Sequence, residues 1–265
     1  MKAAIPLAIL LAACGKPASP DNAKGEATAI LIAPPGAKMA APKPFVFDEK
    51  NDLLEFHFAW SAEAAAVPPL VARFKTEMDK NKAELLANAK EDKAYRDKEG
   101  YPFNSYSSSI DYKTSGQTPR LLSLSVDLAA YTGGAHGNYG TKGLLWDRLA
   151  AKEIALADLF AAPANMDRLL TQPWCDALNK AREEKRGEPA GAGGMFDDCP
   201  KLADISIIPT DTDGNGRFDR LQLVADPYVA GPYAEGDYEI ELPVTPELTA
   251  AIRSDYRESF EAQPQ

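Results

Sequence analysis

Leu122-Ser123-Leu124-Ser125-Val126-Asp127-Leu128 alternates apolar and polar side chains without a break. A period of two puts Leu122, Leu124, Val126 and Leu128 on one face of a strand and the polar residues on the other. Working outward, Gly143 to Trp146 read as the partner of this strand. Upstream, Leu54-Glu55-Phe56-His57-Phe58-Ala59-Trp60 repeats the alternation with Phe56, Phe58 and Trp60 on one face. After it, Pro68 and Pro69 open a long helix, with Leu70, Phe74 and Met78 at four-residue spacing and Leu85 and Ala89 continuing the stripe. Downstream, Asp158-Leu159-Phe160 begins a short helical turn, and a second helix runs from about Asn165 to Lys185, disturbed at Pro173. Strands return at 205–208, 218–224 and 238–242, and 246–252 close the chain as a helix. Strands that cluster, interrupted by helices without regular alternation, predict an α+β fold: antiparallel sheets with a long helix and a second helix packed against them.

The chain has 265 residues, of which 45% are hydrophobic and 26% charged, enough for one large or two small domains with a real core. The expected organisation is a signal peptide over 1–13, a Pro- and Ala-rich tether over 14–43, an N-terminal α+β part over 44–150 and a C-terminal α+β part over 151–256. A polar, disordered tail is expected over 257–265. The net charge of -10 argues against nucleic acid held on a general basic surface. It suits a cationic protein as partner.

The N-terminus speaks to location. Lys2 is followed by an apolar run, Ala3 to Ala13, broken at Pro6 and well short of the roughly 20 residues that span a bilayer. It ends in Leu11-Ala12-Ala13-Cys14-Gly15, which resembles the lipobox of bacterial lipoproteins. That resemblance implies acylation of Cys14 and a lipid anchor in the cell envelope, facing the periplasm or exterior. The aspartate that commonly signals inner-membrane retention is replaced by Gly15, which points to the outer membrane if the cell is Gram-negative. An ordinary secretory peptide or a cytoplasmic helix are the alternatives. Of three cysteines, lipidation of Cys14 leaves Cys175 and Cys199 as a pair around the polar stretch 183–194. An oxidising compartment permits a disulfide there; two unpaired buried thiols are the alternative. Their wide spacing with no histidine nearby makes a poor zinc site.

Tyr131-Thr132-Gly133-Gly134-Ala135-His136-Gly137-Asn138-Tyr139-Gly140 packs four glycines around one of only two histidines. Glycines allow close approach of a ligand or another backbone, and His136 is suited to general-base work, metal ligation or simply fixing a loop by hydrogen bonds. Asp226-Pro227-Tyr228-Val229-Ala230-Gly231-Pro232-Tyr233-Ala234-Glu235-Gly236 interleaves tyrosines with prolines and glycines, which either present aromatics to a partner or anchor packing. The first segment, then Ile154-Ala155-Leu156-Ala157-Asp158-Leu159-Phe160, then the second, follow one another as in the extracytoplasmic domain pair of PdaC-type peptidoglycan deacetylases and RsiV-type lysozyme-sensing anti-sigma factors. The chain resembles that pair from about Phe45 onward. It departs from the deacetylases in lacking their metal-binding catalytic domain, and from the sensors in lacking a transmembrane helix and a sigma-binding segment.

The resemblance implies a domain of unknown function that binds or senses in the envelope, with peptidoglycan fragments or a cationic, lysozyme-like protein as ligand. Candidate ligand-binding residues are Gly133, Gly134, His136, Asn138, Tyr139, Tyr228 and Tyr233, with no catalytic residue assigned. The alternatives are a cell-wall hydrolase using His136, or a structural envelope protein stapled by calcium. No G-x-S-x-G elbow, P-loop, dinucleotide fingerprint or H-E-x-x-H pattern is present. Calcium is the one cofactor candidate: Asp211, Asp213, Asn215, Arg217 by its backbone carbonyl, and Asp219 match the start of an EF-hand-type loop. Gln222 occupies the position of the bidentate glutamate, and the flanks read as strands, so a plain hairpin turn competes with the metal reading.

Overall fold

The 122–128 alternation sits in the interior of a six-stranded sheet. In a computed structural model, which describes residues 41–189 and 194–263, the strands are β1 (Phe45–Lys50), β2 (Leu54–Trp60), β3 (Tyr106–Gln117), β4 (Leu121–Tyr131), β5 (Asn138–Asp147) and β6 (Lys152–Ile154), adjacent in that order. A second sheet holds β7 (Ser206–Thr210), β8 (Arg220–Ala225) and β9 (Tyr238–Pro243). The helices are α1 (Ala62–Ala65), α2 (Pro68–Glu99), α3 (Ala164–Arg186) and α4 (Pro246–Ala251). The expected signal peptide, Cys14 and the tether to residue 40 lie outside the described residues.

The fold is α+β, with one correction: the larger sheet is mixed. β2 and β3 pair in parallel, Phe56 opposite Ser108 and Trp60 opposite Tyr112, while all other pairs are antiparallel. The cause is α2, whose 32 residues carry the chain back along the sheet. A crossover of that length returns the next strand in the same direction. The long helix begins at the expected prolines and buries Leu70, Phe74, Leu85 and Ala89 on the sheet. There they meet Phe56, Phe58, Trp60, Ile110, Tyr112, Leu122, Leu124 and Val126 in one core. Each such side chain contributes on the order of 1.5–3 kcal/mol when taken fully out of water.

The opposite face of the larger sheet receives β7. Gly143 makes this possible, because a Cβ there would stand 3.1 Å from Ile208 Cγ1 and 3.2 Å from the Ile207 carbonyl. A second core then gathers Leu121 and Leu145 of the larger sheet with Leu221, Leu223, Ile240 and Leu242 of the smaller one and Leu170, Trp174 and Leu178 of α3. The chain from Ala41 is one compact unit with two cores, so the expected N- and C-terminal parts are halves of one body.

α3 runs through Pro173, and Trp174 on its buried face donates its indole N–H to the Pro200 carbonyl at 3.1 Å. The next residue, Cys175, is disulfide-bonded to Cys199 with 5.6 Å between their Cα atoms.

The expected disordered tail is corrected through residue 263. Phe260 is 1% exposed and stacks edge-on with Phe218, and the buried hydroxyl of Ser259 shares a 3.0 Å hydrogen bond with Thr118. Burying one large aromatic outweighs the polar composition of its neighbours. Asp147, with no exposed surface, completes this seam by accepting from Arg120, from the Tyr256 hydroxyl and from the amides of Leu149 and Ala150. Among the described residues no helix is long and apolar enough to cross a membrane.

Candidate functional site

The two unusual segments, about 90 residues apart in sequence, come together. The β4–β5 turn carries His136, whose imidazole stacks on Tyr233 with centroids 4.1 Å apart and planes 27° apart. The Tyr233 hydroxyl donates to the Gly137 carbonyl at 2.7 Å, and His136 Nδ1 lies 2.8 Å from the same oxygen. Tyr139 meets Tyr233 edge-on at 6.0 Å, and Tyr228 lies tilted against it at 5.6 Å. Tyr139 and Tyr228 stay 42% and 54% exposed, too open for packing anchors alone. Tyr228 also has φ +73°, a left-handed conformation that costs a non-glycine residue free energy and collects at functional sites.

Next to the cluster, a shallow depression of about 370 Å³ lies over the ends of β3, β4 and β5. Its lining includes Ser108, Ile110, Leu128, Ala130, Asn138, Tyr139, Gly140 and Asp226. Asp226 reaches β5 because position 140 has no side chain; a Cβ there would occupy the space of its carboxyl. Its Oδ1 accepts the Thr141 amide at 2.8 Å, while Ser206 Oγ donates to the Thr141 carbonyl at 2.7 Å, so the second half of the chain clasps the free edge of β5. Among the described residues no hydrogen-bond donor meets Asp226 Oδ2 and no cation pairs with it. Burial, helped by the charge of Asp237, pushes the Asp226 carboxyl above the usual carboxylate range against the opposing pull of the Thr141 amide.

The last turns of α3 hold the tyrosine loop rigid. Arg182 has no exposed surface, yet both Nε and Nη2 donate to the Ala230 carbonyl, and its remaining donors reach the carbonyls of Asp197 and Asp198 and the Asn179 side chain. Five donors are thereby satisfied by neutral oxygens, and burial, with the neighbouring charge of Arg186, lowers the guanidinium pKa. Lys185 donates to the carbonyls of Glu235 and Asp237. Arg186 pairs with Glu235 at 3.0 Å, and Glu235 also accepts the Tyr238 hydroxyl. Burial alone would raise the Glu235 carboxyl, but these two partners hold it below its ordinary value, while burial and Glu235 push Tyr238 up to about 12. The aromatic loop is thus pre-organised before any ligand arrives.

The sequence-derived candidates divide. His136, Asn138, Tyr139, Tyr228 and Tyr233 converge. Gly133 does not: with φ +85° it turns the chain beside Arg96 and Asp92 at the end of α2, and Gly134 is open to solvent. No carboxylate is hydrogen-bonded to His136 among the described residues; His57, in turn, is paired with its cross-strand neighbour Asp48 at 2.7 Å. In the hairpin between β7 and β8, Asp211 accepts the amides of Gly214, Asn215 and Gly216, and both Asp219 oxygens are taken by Thr212. Asn215 and Arg217 are engaged with Asp213 and the C-terminal segment. Among the described residues no group of three His, Cys, Asp or Glu side chains is placed to hold a metal ion. Asp226 and Arg182 were not singled out from sequence, although Leu170, Trp174, Leu178 and Arg182 share one four-residue spacing that puts the arginine on the buried face of α3.

Comparison with known proteins bears on the same region. Residues 48–139, from β1 to the first residues of β5, match the family model for the deacetylase PdaC. The chain is similar in structure to a DUF3298 family protein from Pseudomonas aeruginosa PAO1, at 16% identity and a TM-score of 0.51, over 83% of this chain and 97% of that one. A DUF3298 family member from Bacteroides fragilis aligns at 20% identity and a TM-score of 0.46, over 76% of this chain and 89% of that one. No curated protein matches. Residues 48–139 are therefore similar to a PdaC-type domain, and the Pseudomonas likeness shows a shared fold.

Proposed function

We propose that this chain is a non-catalytic binding module of the cell envelope, lipid-anchored through Cys14, which holds a glycan of the cell wall in the depression beside Tyr139. The observation that carries the reading is the cluster of exposed Tyr139 and Tyr228 around half-buried Tyr233, with His136 stacked on it, bordering a depression that also offers Asn138 and Asp226. Sugar rings present C–H faces that pack on aromatics and hydroxyls that need fixed polar partners, and a few placed polar groups in a largely apolar lining supply both. His136 Nδ1 is held on the Gly137 carbonyl and its ring lies on Tyr233, which supports a fixed recognition surface.

The net charge of -10 favours a second occupant, a cationic protein such as lysozyme. Calorimetric titration separates the two: soluble muropeptides are expected to bind wild type and to lose binding at least tenfold in Tyr233→Ala. Binding of lysozyme with no binding of muropeptides would replace the glycan reading by the protein one, and binding of neither defeats both.

A further inference from the structure

Asp226 is the one carboxylate in the lining of the depression, and among the described residues its hydrogen bonding is incomplete. Other buried carboxylates in the molecule are met by cations: Asp147 by Arg120 at 3.1 Å, and Glu235 by Arg186 at 3.0 Å. Asp226 has one backbone amide on Oδ1 and nothing on Oδ2 among the described residues, and Lys142, though its charge is felt, forms no ion pair with it. It stands in the same lining as Tyr139, whose ring is 42% exposed, and Asp237 adds a second negative charge near that ring. A half-buried carboxylate in the same lining as an aromatic ring is a pairing suited to an ammonium: the anion supplies charge and the ring face supplies cation–π attraction. A glycan offers that group only where an amino sugar carries a free amine, because an N-acetyl group is neutral and gives Oδ2 at most one amide N–H with no charge to offset the buried carboxylate.

We propose that the depression selects amino sugars with a free, protonated amine over their N-acetylated forms, with Asp226 taking the ammonium against the face of Tyr139. This rests on the glycan reading above. Selection needs no movement of the loop, because Arg182, Lys185 and Arg186 already fix it. A free amine also reverses the role of desolvation: burial that strains a lone carboxylate strengthens its attraction for a cation.

The test is a titration of the full chain in detergent at pH 6 with a glucosamine hexamer and with the N-acetylglucosamine hexamer. Wild type is expected to bind the free-amine hexamer at least tenfold tighter. Asp226→Asn, which keeps an oxygen for the Thr141 amide, is expected to erase the preference while still binding the acetylated sugar. Glu188→Gln, an equal charge change at an exposed position away from the depression, is expected to retain the preference. Equal binding of both hexamers overturns the selection and leaves the glycan reading standing; binding of neither overturns the glycan reading itself. A preference that survives Asp226→Asn, or is lost equally in Glu188→Gln, assigns it to the general negative charge and overturns the role of Asp226.

Discussion

The Tyr233 hydroxyl donates to the Gly137 carbonyl at 2.7 Å, and the Tyr233 ring carries His136 on its face. Residues from the middle and last thirds of the chain thus complete one surface, which exists only when both cores have formed. Tyr233→Phe removes the hydrogen bond alone and is expected to cost about 1 kcal/mol in denaturant unfolding. Tyr233→Ala removes the platform and is expected to abolish glycan binding with the fold intact by far-UV circular dichroism. Undiminished binding by the alanine variant would remove the aromatic cluster from the account.

Arg182 is a buried cation held entirely by neutral oxygens. Arg182→Ala strands the carbonyls of Ala230, Asp197 and Asp198, each at about 1–3 kcal/mol, so a loss of at least about 3 kcal/mol is expected in urea unfolding. Arg182→Lys cannot reproduce the planar fork and is expected to recover only part of it. A loss below about 1 kcal/mol in the alanine variant contradicts this assignment.

Cys175 and Cys199 close a loop across 24 positions that includes the polar stretch after α3. A loop of this length stabilises by about 3 kcal/mol through the unfolded chain. Reduction, or the double serine variant, is expected to lower the melting temperature while leaving the glycan site assembled, because Arg182 still grips Asp197 and Asp198. Melting unchanged by reductant would show that the bridge adds nothing.

Two carboxylates give opposite pH signatures. Burial would raise the Asp147 carboxyl, but the Ala150 amide, Tyr256 and Arg120 hold it below its ordinary value. The stability it contributes is present above the unfolded carboxylate value of about 3.9 and is lost as pH falls through the lower folded value. Asp226 is raised, chiefly by burial, so its ionisation opposes folding, and that cost is relieved as pH falls through its folded value. Asp226→Asn is therefore expected to be more stable than wild type at pH 7, with the difference shrinking toward pH 4. Asp147→Asn is expected to be less stable at pH 7. Melting curves between about pH 2 and 7 check both signs, and a destabilised Asp226→Asn at neutral pH contradicts the desolvation argument.

Much of this architecture was legible because particular segments have one clear period. The 122–128 strand and the helix after Pro68 each show a single apolar stripe in sequence, and those stripes meet in one core, whereas the burial of Ser123 on the strand's other face under the second core has no such signal. β3 was invisible: Tyr106-Ser107-Ser108-Ser109 and Thr114-Ser115-Gly116 carry small polar residues toward both faces, and its pairing is imposed by β2 and β4 on either side. Without β3 the parallel pairing could not be seen, since it follows from the crossover through α2. Phe260 looked like part of a frayed tail because one aromatic in a polar segment has no period; its burial depends on Phe218, far away in sequence.

The site was half legible. Its aromatics lie in two glycine-rich segments that stand out by composition, and both were flagged. That they meet is set by the docking of β7 on Gly143 and of Asp226 on Gly140, contacts made across two sheets that local pattern does not encode. Asp226 itself looked like an ordinary turn residue before proline. Its importance appears only from the missing partner on Oδ2.

The most direct test of the central claim is to map the binding surface residue by residue. Backbone amide shifts recorded by NMR during titration with a soluble cell-wall oligosaccharide are expected to move at Ala129, Asn138, Tyr139, Asp226, Tyr228 and Tyr233, with the far hairpin at Asp211 to Asp219 unchanged. Shifts concentrated at that hairpin, along α2, or nowhere at saturating sugar would contradict the site described.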